Sequence, residues 1–475
     1  MIAAHRVADV RAAERATMVG LPGGALMQRA AAALDVECAR ILREATGGVS
    51  GRSVLVLAGS GDNGGDALYA AARLAARGVG VTALTTSDRV HDDSLRSARR
   101  AGVRTRPWRA GDEDVCAAAD LVLDGIAGIG GHGGLRPDFE GLSALDGPVV
   151  VAVDVPSGLD ADTGALTGEL MAADVTVTFG TAKPAHLLAP AAARCGRLVV
   201  VDLGTSHHLP EPAVRRVEPQ DVAARWRRAA PGDDKYSRGV VGVVAGGPDY
   251  TGAAVLAVEA AVRAGAGMVR YLGPRHPTEL VRQRRPEVVA GPGRVQAWVL
   301  GPGVSPDDPE QQDRIRDALA SGEPAVVDAG ALGGLPDTLG PQHVLTPHAG
   351  ELARLLGAER RDVEADPLTH ARRVHERTGA TVLLKGSVTT VVGAHGVFTA
   401  ASAPTWLATA GAGDVLAGIL GAALAGRPDE DPAQVAADVA VLHGRAAALA
   451  SAGGPLAALD VADAVPAALT SLPGW

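Results

Sequence analysis

Short apolar runs that each stop at an aspartate or a glycine cluster recur along this chain, and no other feature constrains its fold as tightly. Ser53–Ala58 runs into Gly59-Ser60-Gly61-Asp62-Asn63-Gly64-Gly65-Asp66. Leu121–Leu123 ends in Asp124 and a glycine-rich stretch to Gly134, and Val149–Val153 ends in Asp154-Val155-Pro156-Ser157-Gly158. In the second half, Val240–Ala245 precedes Gly246-Gly247, Ala297–Leu300 precedes Gly301-Pro302-Gly303, and Ala325–Val327 precedes Asp328. Apolar runs without alternation belong to strands covered on both faces, as in parallel sheets flanked by helices. Intervening stretches such as Ala67–Arg77 carry helical spacing, so the expected class is α/β, with a binding crevice at the carboxyl ends of the strands. The rhythm breaks over residues 205–232, which places a domain boundary near 220 and predicts domains at 1–220 and 221–475.

The net charge of −9 argues against a nucleic-acid partner, which needs a basic face. Cys38, Cys116 and Cys195 are too scattered for a disulfide framework or a zinc pattern. The N-terminal residues His5, Arg6, Asp9 and Arg11 leave no apolar signal core, and no uncharged apolar run reaches the ~18 residues of a membrane span. A cytoplasmic protein acting on small molecules, without nucleic acid or membrane, is expected. The doublet His207-His208 has no partner nearby in sequence and reads as a loop.

The glycine cluster after Ser53–Ala58 lacks the dinucleotide-fingerprint spacing, and Asp62 and Asp66 would repel a pyrophosphate set between them. Asn63, the sole asparagine, joins Asp124 and Ser157 as oxygen donors at neighbouring strand ends. One carboxylate with neutral oxygens suits a monovalent cation. All but three of the 45 basic residues are arginine, so Lys183, Lys235 and Lys385 stand out. Ala410-Gly411-Ala412-Gly413-Asp414 leads into an apolar helical run. Such a loop gathers backbone N–H groups at a helix N-terminus, an anion site with Asp414 in its first turn.

Gly61–Asp66, the Asp124–Gly134 loop and Asp154–Gly158 resemble the NAD(P)H-hydrate epimerase domain over nearly the whole first half. The resemblance implies a Rossmann-like three-layer sandwich that epimerises the C6 hydroxyl (R to S) of hydrated NADH or NADPH. It implies potassium on Asn63, Asp124 and Ser157. Substrate contacts would come from Asp62, Asn63, Gly64, Gly65, Asp66, from Gly128, Ile129, Gly130, Gly131, His132, Gly133, Gly134, and from Asp154. Asp154 is the first choice for the acid/base and Asp66 the second; Lys183 could face the crevice. The sequence departs from the family pattern at Asp62, usually Asn, at Ala67, usually Gly, and at Ile129, commonly Thr.

Thr346-Pro347-His348-x-Gly350-Glu351 together with Ala408–Gly418 resembles the ADP-dependent NAD(P)H-hydrate dehydratase domain of the ribokinase-like superfamily, from about residue 230 onward. That implies nucleotide binding by Lys385, Gly386, Ser387, Val388, Thr389 and the Gly413 N–H. Ala253, Gly303 and His348 would contact the hydrate, and Asp414 would contact its hydroxyl as base. Asp328-Ala329-Gly330 departs from the commoner Asp-Ala-Asp and carries no catalytic expectation. The implied reaction is phosphorylation by ADP, with Mg2+, followed by elimination to NAD(P)H, AMP and phosphate. A homo-oligomer is expected. The competing reading is a small-alcohol, vitamin-precursor kinase with a non-catalytic N-terminal binding domain.

Overall fold

The computed structural model describes every residue of the chain except His132, so that expected substrate contact lies outside the described residues. The chain divides into two compact units, residues 3–214 and residues 1–2 with 215–475. The division falls a few residues ahead of position 220.

In the first unit, seven parallel strands lie in the spatial order Arg104–Pro107, Gly80–Thr85, Ser53–Ala58, Leu121–Gly125, Val149–Val153, Val175–Phe179 and Arg197–Val201. The chain winds outward from Ser53–Ala58 on one side, then returns to place Leu121–Gly125 against its other side. The switch point between these two strands is where a crevice opens in such sheets. Burial of the strands against helices such as Ala25–Thr46 and Asp62–Ala76 explains their unbroken apolar runs.

The helix after Ser53–Ala58 starts at Asp62, a turn earlier than the expected Ala67. The Gly65 N–H donates to the Gly61 carbonyl at 3.2 Å and closes its first turn. A Cβ on Gly64 would lie 2.2 Å from the Gly59 oxygen. The glycines therefore let this helical turn sit directly on the strand end. Asn63 and Asp66, three residues apart on a helix, consequently share a face.

The second unit is also a layered α/β sheet. Its parallel body runs in the order Val289–Ala290, Met268–Tyr271, Val240–Val244, Ala297–Leu300, Ala325–Val327, His343–Leu345 and Thr381–Leu384. Two antiparallel strands, Thr389–Gly393 and Gly396–Ala400, continue it. Here the winding reverses between Val240–Val244 and Ala297–Leu300. The helix Ala412–Gly426 is buried almost throughout, as its apolar sequence requires. A Cβ on Gly418 would lie 2.2 Å from the Ala257 carbonyl oxygen, so glycine sets how closely the helix Thr251–Arg263 packs on it. Among the described residues, no helix is long and apolar enough to cross a membrane.

Candidate active sites

The switch point of the first unit opens into a cavity of about 830 Å³. Asp62, Asn63 and Asp66 line it from one helix, Gly128, Ile129, Gly130 and Gly131 from the loop after Leu121–Gly125, and Asp154 from the next strand end. Gly64 and Gly65 are buried behind this wall and position it. Gly133 and Gly134 continue the loop, both with positive φ.

Asp124 is fully buried. One of its oxygens accepts from Ser157 Oγ at 2.6 Å and Ile126 N at 3.2 Å, the other from Ser157 N at 2.8 Å. Burial pushes its carboxyl up to about 6, against the pull of these hydrogen bonds, none of which comes from a basic side chain. Ser157 Oγ also accepts from Ala127 N at 3.0 Å. The same loop wraps Asn63: a Cβ on Gly128 would lie 2.3 Å from Asn63 Oδ1, and Asn63 Nδ2 donates to the Val153 carbonyl at 2.5 Å. Thus the loop Gly125–Gly128 gathers Asn63, Asp124 and Ser157 around an uncompensated carboxylate.

Asp154 has a left-handed backbone, φ 68°, which turns its carboxylate back over the sheet end. There Oδ1 accepts from Lys183 Nζ, from Thr178 Oγ1 at 2.8 Å and from Phe179 N at 3.2 Å. Lys183 is 1% exposed and also donates to Thr178 Oγ1 and the Phe179 carbonyl. The lysine singled out by its rarity is thus the buried counter-ion of Asp154. Asp66 contrasts with this: its Oδ1 is buried without a hydrogen-bond partner among the described residues. Burial, then the charges of Asp154, Asp62 and Glu14, hold its carboxyl well above the usual range. Glu14, from the helix Val7–Met18, lines the same cavity and was not foreseen; burial raises it too, against the nearby Lys183 charge.

In the second unit, Gly303, at φ 65°, meets the Ala253 methyl at the switch point: a Cβ there would come within 2.6 Å of it. Further along the same sheet edge, Lys385 Nζ lies 2.8 Å from Asp328 Oδ1 and 3.9 Å from Glu351 Oε2. A Cβ on Gly413 would lie 3.3 Å from Lys385 Nζ and 3.7 Å from Asp328 Oδ2, which places the anion loop directly against this pair. Asp414 follows in the first turn of its helix. Burial first, then the Asp328 charge, lift its carboxyl to about 7, and Lys385 opposes the rise.

His348 caps the helix Ala349–Leu356. Its Nδ1 accepts from Gly350 N and Glu351 N, while Glu351 Oε2 accepts from His348 N at 2.8 Å. With Nδ1 accepting, the proton of the neutral ring is on Nε2. Lys385 begins the turn Lys385–Val388 between two strands, with Gly386 and Ser387 exposed, Val388 buried and Thr389 opening the second strand. Asp328 is the residue that the sequence reading left without a role, although it ends a strand just as Asp124 and Asp154 do. His443, buried on the helix Pro432–Ser451, was missed altogether. Burial lowers it to about 4, so its ring is neutral, and its Nε2 has no hydrogen-bond partner among the described residues. His207 and His208 form an exposed single turn, and no cluster of metal-ligating His, Cys, Asp or Glu occurs among the described residues.

Fold and sites define a class: a Rossmann-like unit joined to a ribokinase-like unit. Residues 23–185 match the family model described as the YjeF-related protein N-terminus, and residues 241–466 match that described as NAD(P)H-hydrate dehydratase. The chain is 47% identical to the bifunctional NAD(P)H-hydrate repair enzyme Nnr of Mycobacterium tuberculosis, over 89% of each chain. It is 44% identical to that of Mycobacterium leprae, over 94% of each. The ADP/ATP-dependent NAD(P)H-hydrate dehydratase from Bacillus subtilis, co-crystallised with ATP and Mg2+, superposes with a TM-score of 0.51 at 25% identity, covering 55% of this chain and 99% of that one. The chain belongs to the family of bifunctional NAD(P)H-hydrate repair enzymes.

Proposed function

We propose that this chain repairs hydrated NADH and NADPH in two steps: residues 3–214 invert the C6 hydroxyl from R to S, and residues 215–475 remove it at the expense of ADP. The observation that carries the reading is Asp414, a carboxyl balanced near neutral pH at a phosphate-binding loop beside Lys385, in a chain that also holds the Asp66–Asp154 cavity. Membership of the repair-enzyme family supports it.

In the epimerase cavity, Asp66 enters protonated and acts as the acid. It delivers its proton to the C6 hydroxyl, the C–O bond breaks, and the ring nitrogen lone pair forms a C=N bond. Water adds to the opposite face and gives its proton to Asp154, whose carboxylate Lys183, Thr178 and the Phe179 N–H hold in place. Proton exchange through solvent resets the pair. Asn63, Asp124 and Ser157 fit a potassium ion, because the buried carboxylate has only neutral donors around it. When bound, the ion supplies the charge that offsets Asp124.

In the dehydratase site, Asp414 takes the C6 hydroxyl proton as that oxygen attacks the terminal phosphoryl group of ADP and AMP leaves. The Gly413 N–H and Lys385 stabilise the transferring charge. Phosphate then departs from C6, a proton is lost from C5, and the dihydropyridine is restored. Ala253, Gly303 and the Nε2 edge of His348 bind the hydrate, and the turn Lys385–Thr389 binds the nucleotide. Mg2+ would ride on the nucleotide phosphates and water, since the described residues offer no dedicated carboxylate cage. The same reading takes the chain as a cytoplasmic homo-oligomer, which cell fractionation and light scattering test.

The test is hydrated NADH of mixed C6 configuration, supplied with ADP or ATP and followed at the dihydropyridine absorbance. Full conversion with ADP supports the reading. Conversion of one epimer alone removes the epimerase, and accumulation of a stable phosphate ester favours the small-alcohol kinase.

A further inference from the structure

The cavity of the first unit poses a charge problem. Its lining carries four carboxyl groups, Glu14, Asp62, Asp66 and Asp154, yet the substrate read for it is a dinucleotide with an anionic pyrophosphate. Lys183 lies behind Asp154 and is engaged by it. The guanidinium groups on the lining belong to Arg11 and Arg15, one helical turn apart on Val7–Met18 and therefore on one face. Both are exposed, and neither has a carboxylate within salt-bridge distance among the described residues. Arginines such as Arg77 and Arg106 are by contrast ion-paired, with Asp35 and Asp112. Arg11 also lies over the glycine loop, since a Cβ on Gly130 would stand 3.2 Å from its Nη2. The helix lies upstream of the family-model match, which begins at residue 23.

We infer that Arg11 and Arg15 anchor the pyrophosphate of the hydrated dinucleotide at the cavity mouth, so that the damaged ring points inward to Asp66 and Asp154. Free guanidinium groups present planar forks suited to phosphate oxygens, and the buried Asp154 carboxylate deeper in the wall disfavours a phosphate at the ring end. The loop beneath Arg11 has glycine at 128, 130 and 131, which leaves room for a phosphate beside the guanidinium. This inference rests on the epimerase reading and gives the substrate its direction in the cavity.

The experiment compares the full-length protein with its Arg11→Ala/Arg15→Ala variant on two probes, hydrated NADH and the hydrate of a phosphate-free 1-benzyl-dihydronicotinamide. An anchor that binds ground and transition states alike raises KM by about tenfold or more on hydrated NADH and leaves kcat within about twofold. The phosphate-free probe should show the same kcat/KM with both proteins. Arg11→Lys/Arg15→Lys should recover part of the affinity, and the salt dependence of KM should flatten in the alanine variant. Urea unfolding with the first-unit transition unchanged from the unaltered protein reports an intact fold. An unchanged KM for hydrated NADH, or an equal loss on the phosphate-free probe, overturns the inference while leaving the epimerase reading standing. No epimerisation by the unaltered protein removes that reading and this inference with it.

Discussion

Lys385 Nζ stands 2.8 Å from Asp328 Oδ1, so the lysine that opens the turn Lys385–Val388 is held by the carboxylate that also lifts Asp414. Asp328 and Lys385 thus shift the Asp414 carboxyl in opposite directions.

The first prediction is a pH profile. Asp414 accepts a proton only when ionised, and its carboxyl sits at about 7, so kcat/KM for dehydration should fall about tenfold per pH unit below that point and level off above it. Asp328→Asn removes a raising charge and should shift the midpoint down; Lys385→Met removes a lowering one and should shift it up. A profile flat from about pH 5 to 9 would take Asp414 out of the base role.

Asp414→Asn should cut ADP-dependent dehydration by roughly 10²-fold or more while the epimerisation rate stays at the wild-type level. Separate single-epimer assays read the two activities. Retained dehydration would contradict the mechanism.

Asp66→Asn should lower epimerisation by about 10²- to 10⁴-fold, the usual worth of a general acid. Its effect on stability has a defined sign. Raised in the fold, Asp66 favours folding when protonated and costs stability as pH rises through its unfolded value towards the folded one. A neutral amide avoids that cost, so the melting temperature at neutral pH should hold or rise, which calorimetry checks.

Lys183→Met should behave differently. It leaves the Asp154 carboxylate buried without its counter-ion, a loss of about 3–5 kcal/mol for a buried pair. Urea unfolding of the variant should show an early transition in the first unit. Lys183→Met/Asp154→Leu, with both charges gone, should recover much of that stability without recovering activity.

Gly418→Ala probes the second core. Its new methyl would enter within 2.2 Å of the Ala257 carbonyl, backbone that cannot rotate away, so a loss of about 1–3 kcal/mol is expected by thermal melting.

Much of this was legible along the chain. The apolar runs ending in Asp or Gly announced parallel sheets, and Asn63, Asp124, Ser157, Lys385, Gly413 and Asp414 could be picked out because unusual residues stand at strand or helix ends. The extent of the helix at Asp62 was hidden, because glycines there read as a turn when no packing partner is visible. Asp328 was passed over since its neighbours depart from the family pattern, and Glu14 and His443 because nothing local distinguishes them from ordinary helical residues.

The sequence by itself determined two layered α/β units, the loops at their strand ends and the chemical types carried on those loops. These follow from periodicity and from residue chemistry, both local properties. Only the tertiary structure decided which carboxyl is buried without a partner, which is paired with a buried lysine and which is lifted to about 7. Those properties depend on burial and on charges brought together from distant segments: Lys183 against Asp154, and Asp328 and Lys385 around Asp414.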